Sequence, residues 1–378
     1  MTIVVACDSF KGCLSSTEIN TIIKSTIEKH RPEYIVKTFS IGDGGEGTME
    51  SISNHFNGTK VKVTVHNPLM EEIEAEYAII KGNIAVIEMA STSGLPLIPQ
   101  EQRNPLKTTT FGVGEMIKDA ILNHHISEFI IGIGGSATND GGCGMLQALG
   151  WRFLDEHGNS LGYGGEMLNK IVSIDDSHVL QQLKNVHFTI ACDVNNPLYG
   201  PTGAAFVYAR QKGATDDMII ELDNGLLHYS EVIKKTLKKD ISQIPGVGAA
   251  GGLGAGFLAF LNSTLKSGIH LLLDLFSFED MLMNCSYLIT GEGKIDHQSF
   301  MGKVLDGMIS RAKKFDVKVI AIGGSVDYSS LPSSILDDDH IILFSIQSSP
   351  LSLLQAMEKQ TTISNIQSLL KNILKLLH

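Results

Sequence analysis

What is scarce in this chain narrows the field first. Across 378 residues there is one tryptophan and no run of basic residues, and the formal net charge is −11. Nucleic-acid binding rests on clustered Lys and Arg against phosphate, so that partner class is excluded. A small anionic ligand stays open, because backbone N–H groups, a few placed lysines and a divalent cation bind phosphate locally. Cysteines number five, Cys7, Cys13, Cys143, Cys192 and Cys285, with no C-x-x-C pair. An odd, scattered set points to reduced thiols, a cytoplasmic setting and no zinc site. No apolar run approaches the ~20 residues that cross a bilayer. The opening MTIVVACDS lacks a basic region and reads as a first strand, not a secretion signal. There is no G-K-[ST], hence no Walker P-loop, and no Ser-His-Asp or Cys-His set is signed by spacing. The 13 histidines are scattered, with His124 and His125 read as a helix end.

What the chain does have is glycine. Its 38 glycines exceed the usual share of ~7%, and they fall in a few short stretches, which points to tight functional turns. The organising stretch is Phe129–Gly144, FIIGIGGSATNDGGCG. An apolar strand, Phe129–Ile133, runs into a glycine-rich turn and a short helix, Met145–Leu149. Strand, glycine turn and helix together present N–H groups to a phosphate, and a Cβ in the turn would hold the anion away. Ser136, Thr138 and Asn139 add short donors. The same residues contain a G-x-G-x-x-A match at Gly132, Gly134 and Ala137, with Asp155 at a distance suited to a dinucleotide ribose. A dinucleotide turn starts its helix at the second glycine, whereas Thr138–Gly142 delay it here. Phosphate binding, dinucleotide binding and a purely structural turn all remain readings of this stretch. A second match at Gly246, Gly248 and Gly251 lacks a preceding strand, which puts a structural role, close helix packing, at least level with a ligand-binding one.

In chain order, Ile3–Ala6 is a strand, and Ser15 and Glu18 form a capping box ahead of an Ile19, Ile22, Ile23, Ile27 stripe. A second strand at Ile35–Phe39 and a helix near Met49–Phe56 complete a β-α-β-α start. Period-two alternation at Val61, Val63, Val65 and Ile73, Ala75, Tyr77, followed by Ile84–Met89, reads as an antiparallel meander. A hairpin-like Trp151–Asn159, a strand at His187–Ala191 and a long helix at Asp217–Lys238 come next. β/α alternation then returns from Tyr287 to a C-terminal helix with Ile363, Ile366, Leu370 and Ile373 on one face. The expected class is α/β with two domains. Residues 1–60 and 285–378 form a discontinuous parallel-sheet domain, and residues 61–284 form an inserted mixed α/β domain carrying the glycine-rich loop. Ligand is expected in the cleft between them.

Four further loops share one design, a strand followed by a carboxylate among glycines or amides. They are Asp8-Ser9-Phe10-Lys11, Asp43-Gly44-Gly45-Glu46, Asp193-Val194-Asn195-Asn196 and Gly291–Asp296. A lone Asp after a strand is usually a turn or cap residue. Carboxylates in such loops also hold Mg²⁺ or take a hydroxyl proton, and Lys11, Lys294 and Lys303 are positioned in sequence to face an anion.

With these residues assembled, the chain resembles the bacterial type I glycerate kinase family. The resemblance rests on ACDSFKGCLS (Ala6–Ser15), GDGGEGT (Gly42–Thr48), IGIGGSATNDGGCGMLQALG (Ile131–Gly150), ACDVNNPL (Ala191–Leu198), GAAGGLGAG (Gly248–Gly256) and ITGEGKIDHQS (Ile289–Ser299). The motifs stand in the family's order across essentially the whole chain. Cys7 replaces a usual Pro. Lys294 replaces a frequent Arg, which keeps the charge but gives up a bidentate fork.

The resemblance implies ATP-dependent phosphorylation of D-glycerate with Mg²⁺, generally to 2-phosphoglycerate, by a cytoplasmic enzyme of glycerate catabolism. It implies a flavodoxin-like domain with a mixed α/β insertion. The alternatives weighed are 3-phosphoglycerate as product, a related hydroxy acid as acceptor, and, outside the class, an NAD-dependent hydroxy-acid dehydrogenase or a non-catalytic acid-binding regulator. A homodimer is compatible with all of these. On this footing Gly134, Gly135, Ser136, Thr138, Asn139, Asp140 and Gly141 are assigned to ATP phosphates. Asp43, Glu46 and Glu292 are assigned to Mg²⁺. Asp8, Ser9, Lys11 and Asn195 are assigned to glycerate, with Ser9 and Lys11 at its carboxylate. Asp193 or Asp296 orients and deprotonates the attacking hydroxyl, Asp296 being preferred because Lys303 follows it closely.

Overall fold

The structure, a computed structural model, describes residues 1–39 and 48–377. Asp43 and Glu46 lie outside the described residues. The chain divides into two compact units, residues 1–43 with 267–378, and residues 44–266. The boundaries therefore fall earlier than the expected 60/61 and 284/285. The helix Thr48–His55 packs on strands of the second unit, and Gly268–Leu275 packs on Val304–Lys314 of the first.

The strands, in chain order, are β1 (Thr2–Cys7), β2 (Ile35–Thr38), β3 (Thr59–His66), β4 (Glu72–Ile80), β5 (Ile84–Glu88), β6 (Glu128–Gly132) and β7 (Arg152–Leu154). They continue as β8 (Ser173–Asp175), β9 (His187–Ala191), β10 (Ser263–Lys266), β11 (Tyr287–Ile295), β12 (Lys318–Val326) and β13 (Ile341–Ser345).

The first unit is built on one parallel sheet with strand order β13-β12-β11-β1-β2. Counted within the unit, this is the 2-1-3-4-5 order of the flavodoxin-like fold, whose topological switch point lies between the first and third strands, here β1 and β11. β1 is an unbroken apolar run because both of its faces are covered; Ile3, Val4, Val5 and Ala6 have no exposed surface. The helix Ser16–His30 starts on the capping box read from the sequence. Glu18 N–H donates to Ser15 Oγ at 3.3 Å, and Ser15 N–H donates to Glu18 Oε2 at 2.8 Å. Its Ile19, Ile23 and Ile27 are buried in a core shared with Ile366, Leu370 and Ile373 of the C-terminal helix Lys359–Leu376.

β11 runs on through Gly291–Ile295, which the sequence reads as a loop. β12 is equally long, and the pairing continues from Glu292–Gly323 to Ile295–Val326. Glycines on both strands allow it: a Cβ at Gly324 would stand 2.4 Å from the Gly293 carbonyl.

The second unit carries a mixed sheet, order β10-β9-β6-β5-β4-β3. Its first four strands are parallel, and β4 and β3 continue antiparallel as the expected meander. Phe129 on β6 and Phe188 on β9 stack at 4.9 Å between ring centroids in the core under the sheet. The hairpin-like return expected over Trp151–Asn159 is present: Leu154 bridges Ser160 in antiparallel fashion and Leu161 N–H donates to Phe153 O at 2.8 Å. Its turn is closed by Asp155 N–H donating to Asn159 O at 3.0 Å, and β7 also pairs along its length with β8, beyond the turn. Placing β6 and β9 side by side brings their C-terminal loops, residues 133–142 and 192–197, to one edge of the sheet.

Candidate active site

In the second unit a cavity of about 220 Å³ opens at that edge. Gly134, Gly135 and Ser136 line it from the loop after β6, Cys192, Asp193 and Val194 from the loop after β9. Tyr208, Gln211 and Lys212 close one side, and Ala249 and Ala250 another. Gly134 and Gly135 are exposed to it. A Cβ built on Gly134 meets nothing within 4 Å, so the space in front of the turn is open. Among the described residues, the N–H groups of Gly134, Gly135 and Ser136 donate to no protein acceptor. A turn with consecutive unspent N–H groups facing a cavity is a place for an oxyanion.

The rest of the expected cradle turns inward. Thr138, Asn139 and Asp140 are at most 1% exposed. Asp140 Oδ2 accepts from Thr110 N–H at 2.8 Å, Thr110 Oγ1 at 2.9 Å, Thr109 Oγ1 at 3.3 Å and Gly144 N–H at 3.2 Å; Oδ1 accepts from Gly142 N–H at 3.1 Å. Burial raises its pKa, while the bonds from Thr110, Gly142 and Gly144 pull the other way. The assignment of Asp140 to a nucleotide phosphate is therefore corrected. Its carboxylate fills the start of the helix Cys143–Ala148 itself, which leaves the turn at Gly134–Ser136, and not the helix N-terminus, open to a ligand. Gly141, in left-handed conformation, also packs inward: its N–H donates to Gly251 O at 3.0 Å.

That bond belongs to a backbone-to-backbone contact. The segment Gly246–Gly256 lies against the cradle, and a Cβ on Gly251 would sit 2.1 Å from the Thr138 carbonyl. Ala250, Gly251 and Gly252 adopt left-handed conformations that break the helix Ala249–Phe260 and let its start fold over the turn. Of the two readings of the second glycine motif, these contacts supply the packing one.

Sequence reasoning missed Lys212. It is 2% exposed, its Nζ donates to the Thr138 carbonyl at 2.6 Å, and it lines the cavity. Burial pushes its pKa down to about 7 against the pull of Asp140. Within Arg210-Gln211-Lys212-Gly213 nothing local marks it, since a lysine at a helix end is ordinarily a solvated one. Asn195 is exposed and is not among the lining residues; its neighbour Asn196 instead accepts from Tyr208 Oη at 2.6 Å and holds Thr202 O at 2.8 Å.

The first unit gathers the other candidates at its switch point. Asp8 follows β1 and donates its N–H to Gly291 O at 2.8 Å; Ser9 N–H donates to Asp8 Oδ1 at 2.6 Å. Glu292 on β11 has its pKa raised, first by burial and then by the Asp8 and Asp296 carboxylates, with Ser299 and Lys303 opposing. Its Oε1 is buried with no hydrogen-bond partner among the described residues. Lys11 and Lys303 are exposed, and Lys303 Nζ donates to Gln298 Oε1 at 3.2 Å. Asp296 caps the turn His297–Phe300, accepting from Gln298 N–H at 3.0 Å, and pairs with Lys294 at 3.1 Å. Burial acts to raise its pKa, but the Lys294 contact and the cap outweigh it, and the net shift is downward.

Comparison with known proteins agrees from three directions. The glycerate kinase family model matches residues 3–378. The Escherichia coli K12 glycerate 2-kinase is 46% identical over 327 residues, 86% of each chain. A Bacillus cereus glycerate kinase is 43% identical over 376 residues, 99% of this chain and 97% of its own. A crystal structure from Salmonella typhimurium LT2, provisionally described as a glycerate kinase 2, superposes with a TM-score of 0.82 at 40% identity, covering 99% of this chain and 97% of that one. The dehydrogenase reading of the glycine turn is set aside with it, since the helix after β6 begins only at Cys143. This chain belongs to the glycerate kinase family.

Proposed function

We propose that this protein is a glycerate 2-kinase that transfers the terminal phosphoryl group of ATP to the 2-hydroxyl of D-glycerate. The observation that carries the site reading is the cavity that the Gly134–Ser136 turn, with its open N–H groups, and Asp193 line together. Phosphoryl transfer asks for positioning and neutralisation of charge more than for covalent chemistry. The turn at Gly134–Ser136 receives phosphate oxygens. Asp193, exposed in the same cavity, orients the acceptor hydroxyl and takes its proton. This moves the preference from Asp296 to Asp193, because Asp193 lines the same cavity as the Gly134–Ser136 turn. Ser9 and Lys11 keep the assignment to the glycerate carboxylate.

Mg²⁺ fits the residues at the switch point. Glu292 has a buried oxygen without a partner among the described residues and a carboxylate neighbour in Asp8, an arrangement that a cation relieves. Mg²⁺ ordinarily keeps several waters and leans on one or two carboxylates plus phosphate, so two carboxylates are enough to seat it. Glu292 and Asp8 would hold it. When bound, it supplies charge neutralisation for the phosphate oxygens.

Incubation with ATP, Mg²⁺ and D-glycerate, followed by ³¹P NMR, tests the proposal. 2-Phosphoglycerate is the expected product; 3-phosphoglycerate would correct the position of transfer, and ATP unconsumed in the presence of glycerate would overturn it.

A further inference from the structure

Buried lysines are uncommon, because an ammonium leaves water only at a cost unless it is paired. Lys212 is buried, and among the described residues its hydrogen bond goes to the Thr138 carbonyl at 2.6 Å, in the loop that ends the cradle. An ammonium has three donors, so two remain for whatever enters the cavity that Lys212 lines. A second observation points the same way. Gly134, Gly135 and Ser136 line the same cavity, their N–H groups donate to no acceptor among the described residues, and consecutive free N–H groups in a turn form a place for an oxyanion.

We propose that Lys212 is a phosphate-binding residue of this site: held by the Thr138 carbonyl, its ammonium contacts the phosphoryl oxygens received by the Gly134–Ser136 turn. The proposal rests on reading this cavity as the nucleotide phosphate site. The groups that face Lys212 are Asp140 in the cradle loop, Cys192 and Asp193 after β9, and Tyr208 on the preceding helix; Cys143 and Tyr229 stand behind Asp140. The thiol of Cys192 and the phenol of Tyr208 are both shifted upward by burial and stay neutral near pH 8. Lys212 itself, with its pKa lowered to about 7 by burial, is mostly neutral there until an anion arrives. Binding of phosphate then draws a proton from solvent onto the amine, and no bond to phosphorus is made or broken in that step.

Isothermal titration calorimetry at pH 8 in two buffers of different ionisation enthalpy measures that proton. The titrant is MgATP without glycerate, which is fully ionised at this pH. Wild-type protein is expected to take up between about half a proton and one proton per MgATP bound, given a site pKa near 7 that the anion raises. Lys212→Met is expected to lose that uptake and to bind MgATP about 10- to 100-fold more weakly, the range for a lost charge-assisted bond. Lys212→Arg, always protonated, is expected to bind without uptake. Unchanged affinity and unchanged uptake in Lys212→Met would overturn the proposal, as would uptake that accompanies D-glycerate and not MgATP. Should the variants fail to fold, wild-type protein decides alone, uptake on MgATP supporting the role and none refuting it. Gly134→Val separates the two layers of the argument, since its side chain enters open space in front of the turn. MgATP binding that survives Gly134→Val overturns the site reading. Binding lost there but kept, proton and all, in Lys212→Met overturns the role of Lys212 alone.

Discussion

Two stretches written in similar residues, Gly132–Gly144 and Gly291–Asp296, treat their carboxylates in opposite ways. In the first, Asp140 is buried and accepts from backbone and hydroxyl donors on both sides, so its charge is a component of the fold. In the second, the backbone stays in a strand, and Glu292 and Asp296 stand at its end beside Lys294 and Lys303, where they are only part-buried. The difference comes from the element next to each carboxylate. A helix starts three residues after Asp140, and its free N–H groups capture the nearest anion. Around Glu292 a neighbouring strand consumes the N–H groups, and the side chain is left to meet cations. A glycine-rich turn with acids therefore says that backbone donors are close, not which anion they will hold.

The sharpest way to break this comparison is at the two candidate bases. Asp193→Asn is expected to lower kcat by about 10²- to 10⁴-fold with near-normal ATP binding, and Asp296→Asn by much less. Steady-state kinetics that reverse this order would return the role to Asp296 and its lysines.

Next in size is the contrast in stability. Asp140→Ala removes a buried anion from its donors and from the neighbourhood of Lys212, at a cost of about 3–5 kcal/mol. Asp296→Ala loses a cap and a partly exposed pair, about 1 kcal/mol. Denaturant titration of both variants measures the gap, and equal losses would mean that Asp140 is not the internal anion described.

Glycine supplies a third comparison. Gly251→Ala places a Cβ against the Thr138 carbonyl in a left-handed conformation and is expected to cost about 2–4 kcal/mol. Gly302 has a similar φ, +79°, but nothing within 4 Å, so Gly302→Ala should cost only about 1–2 kcal/mol.

The pH dependence carries a sign that can be worked out. Lys212 protonates near pH 7 in the folded protein and at about 10.4 when unfolded. Between those values the unfolded chain holds the extra proton, so this group makes stability rise with pH. The Tm of unliganded wild type minus that of Lys212→Met is expected to climb from pH 7 to pH 9; a flat or falling difference would place the amine in a different environment. Smallest of all, Glu292→Gln removes a carboxylate disfavoured by burial and by Asp8. It should raise Tm slightly in the absence of Mg²⁺ while raising the Mg²⁺ concentration needed for turnover, the trade expected where a site is kept at the expense of stability.

Much of the architecture was legible because it is local. The Ser15–Glu18 box, the isoleucine stripe after it, the alternation of β3 and β4 and the apolar run of β1 each depend on the spacing of a few neighbours. The position of the glycine turn was legible for the same reason. The direction of Asp140 was not, since it depends on Thr109 and Thr110, some thirty residues upstream. The burial of Lys212 depends on a carbonyl at residue 138, and the extra length of β11 on the matching length of β12. What the residues alone withheld is what only distant packing decides.

The register of β1 against β11, Ile3 beside Tyr287, has a consequence for how the protein is made. A ribosome releases residues 44–266 as one continuous piece, free to fold as soon as it emerges. The opening strand has no such luck: until residue 287 is synthesised its sheet partner is β2 alone, and a two-stranded pair is marginal by itself. The apolar run Ile3–Ala6 therefore waits through most of translation for its main neighbour, and it is there that a nascent chain of this protein would most need shelter.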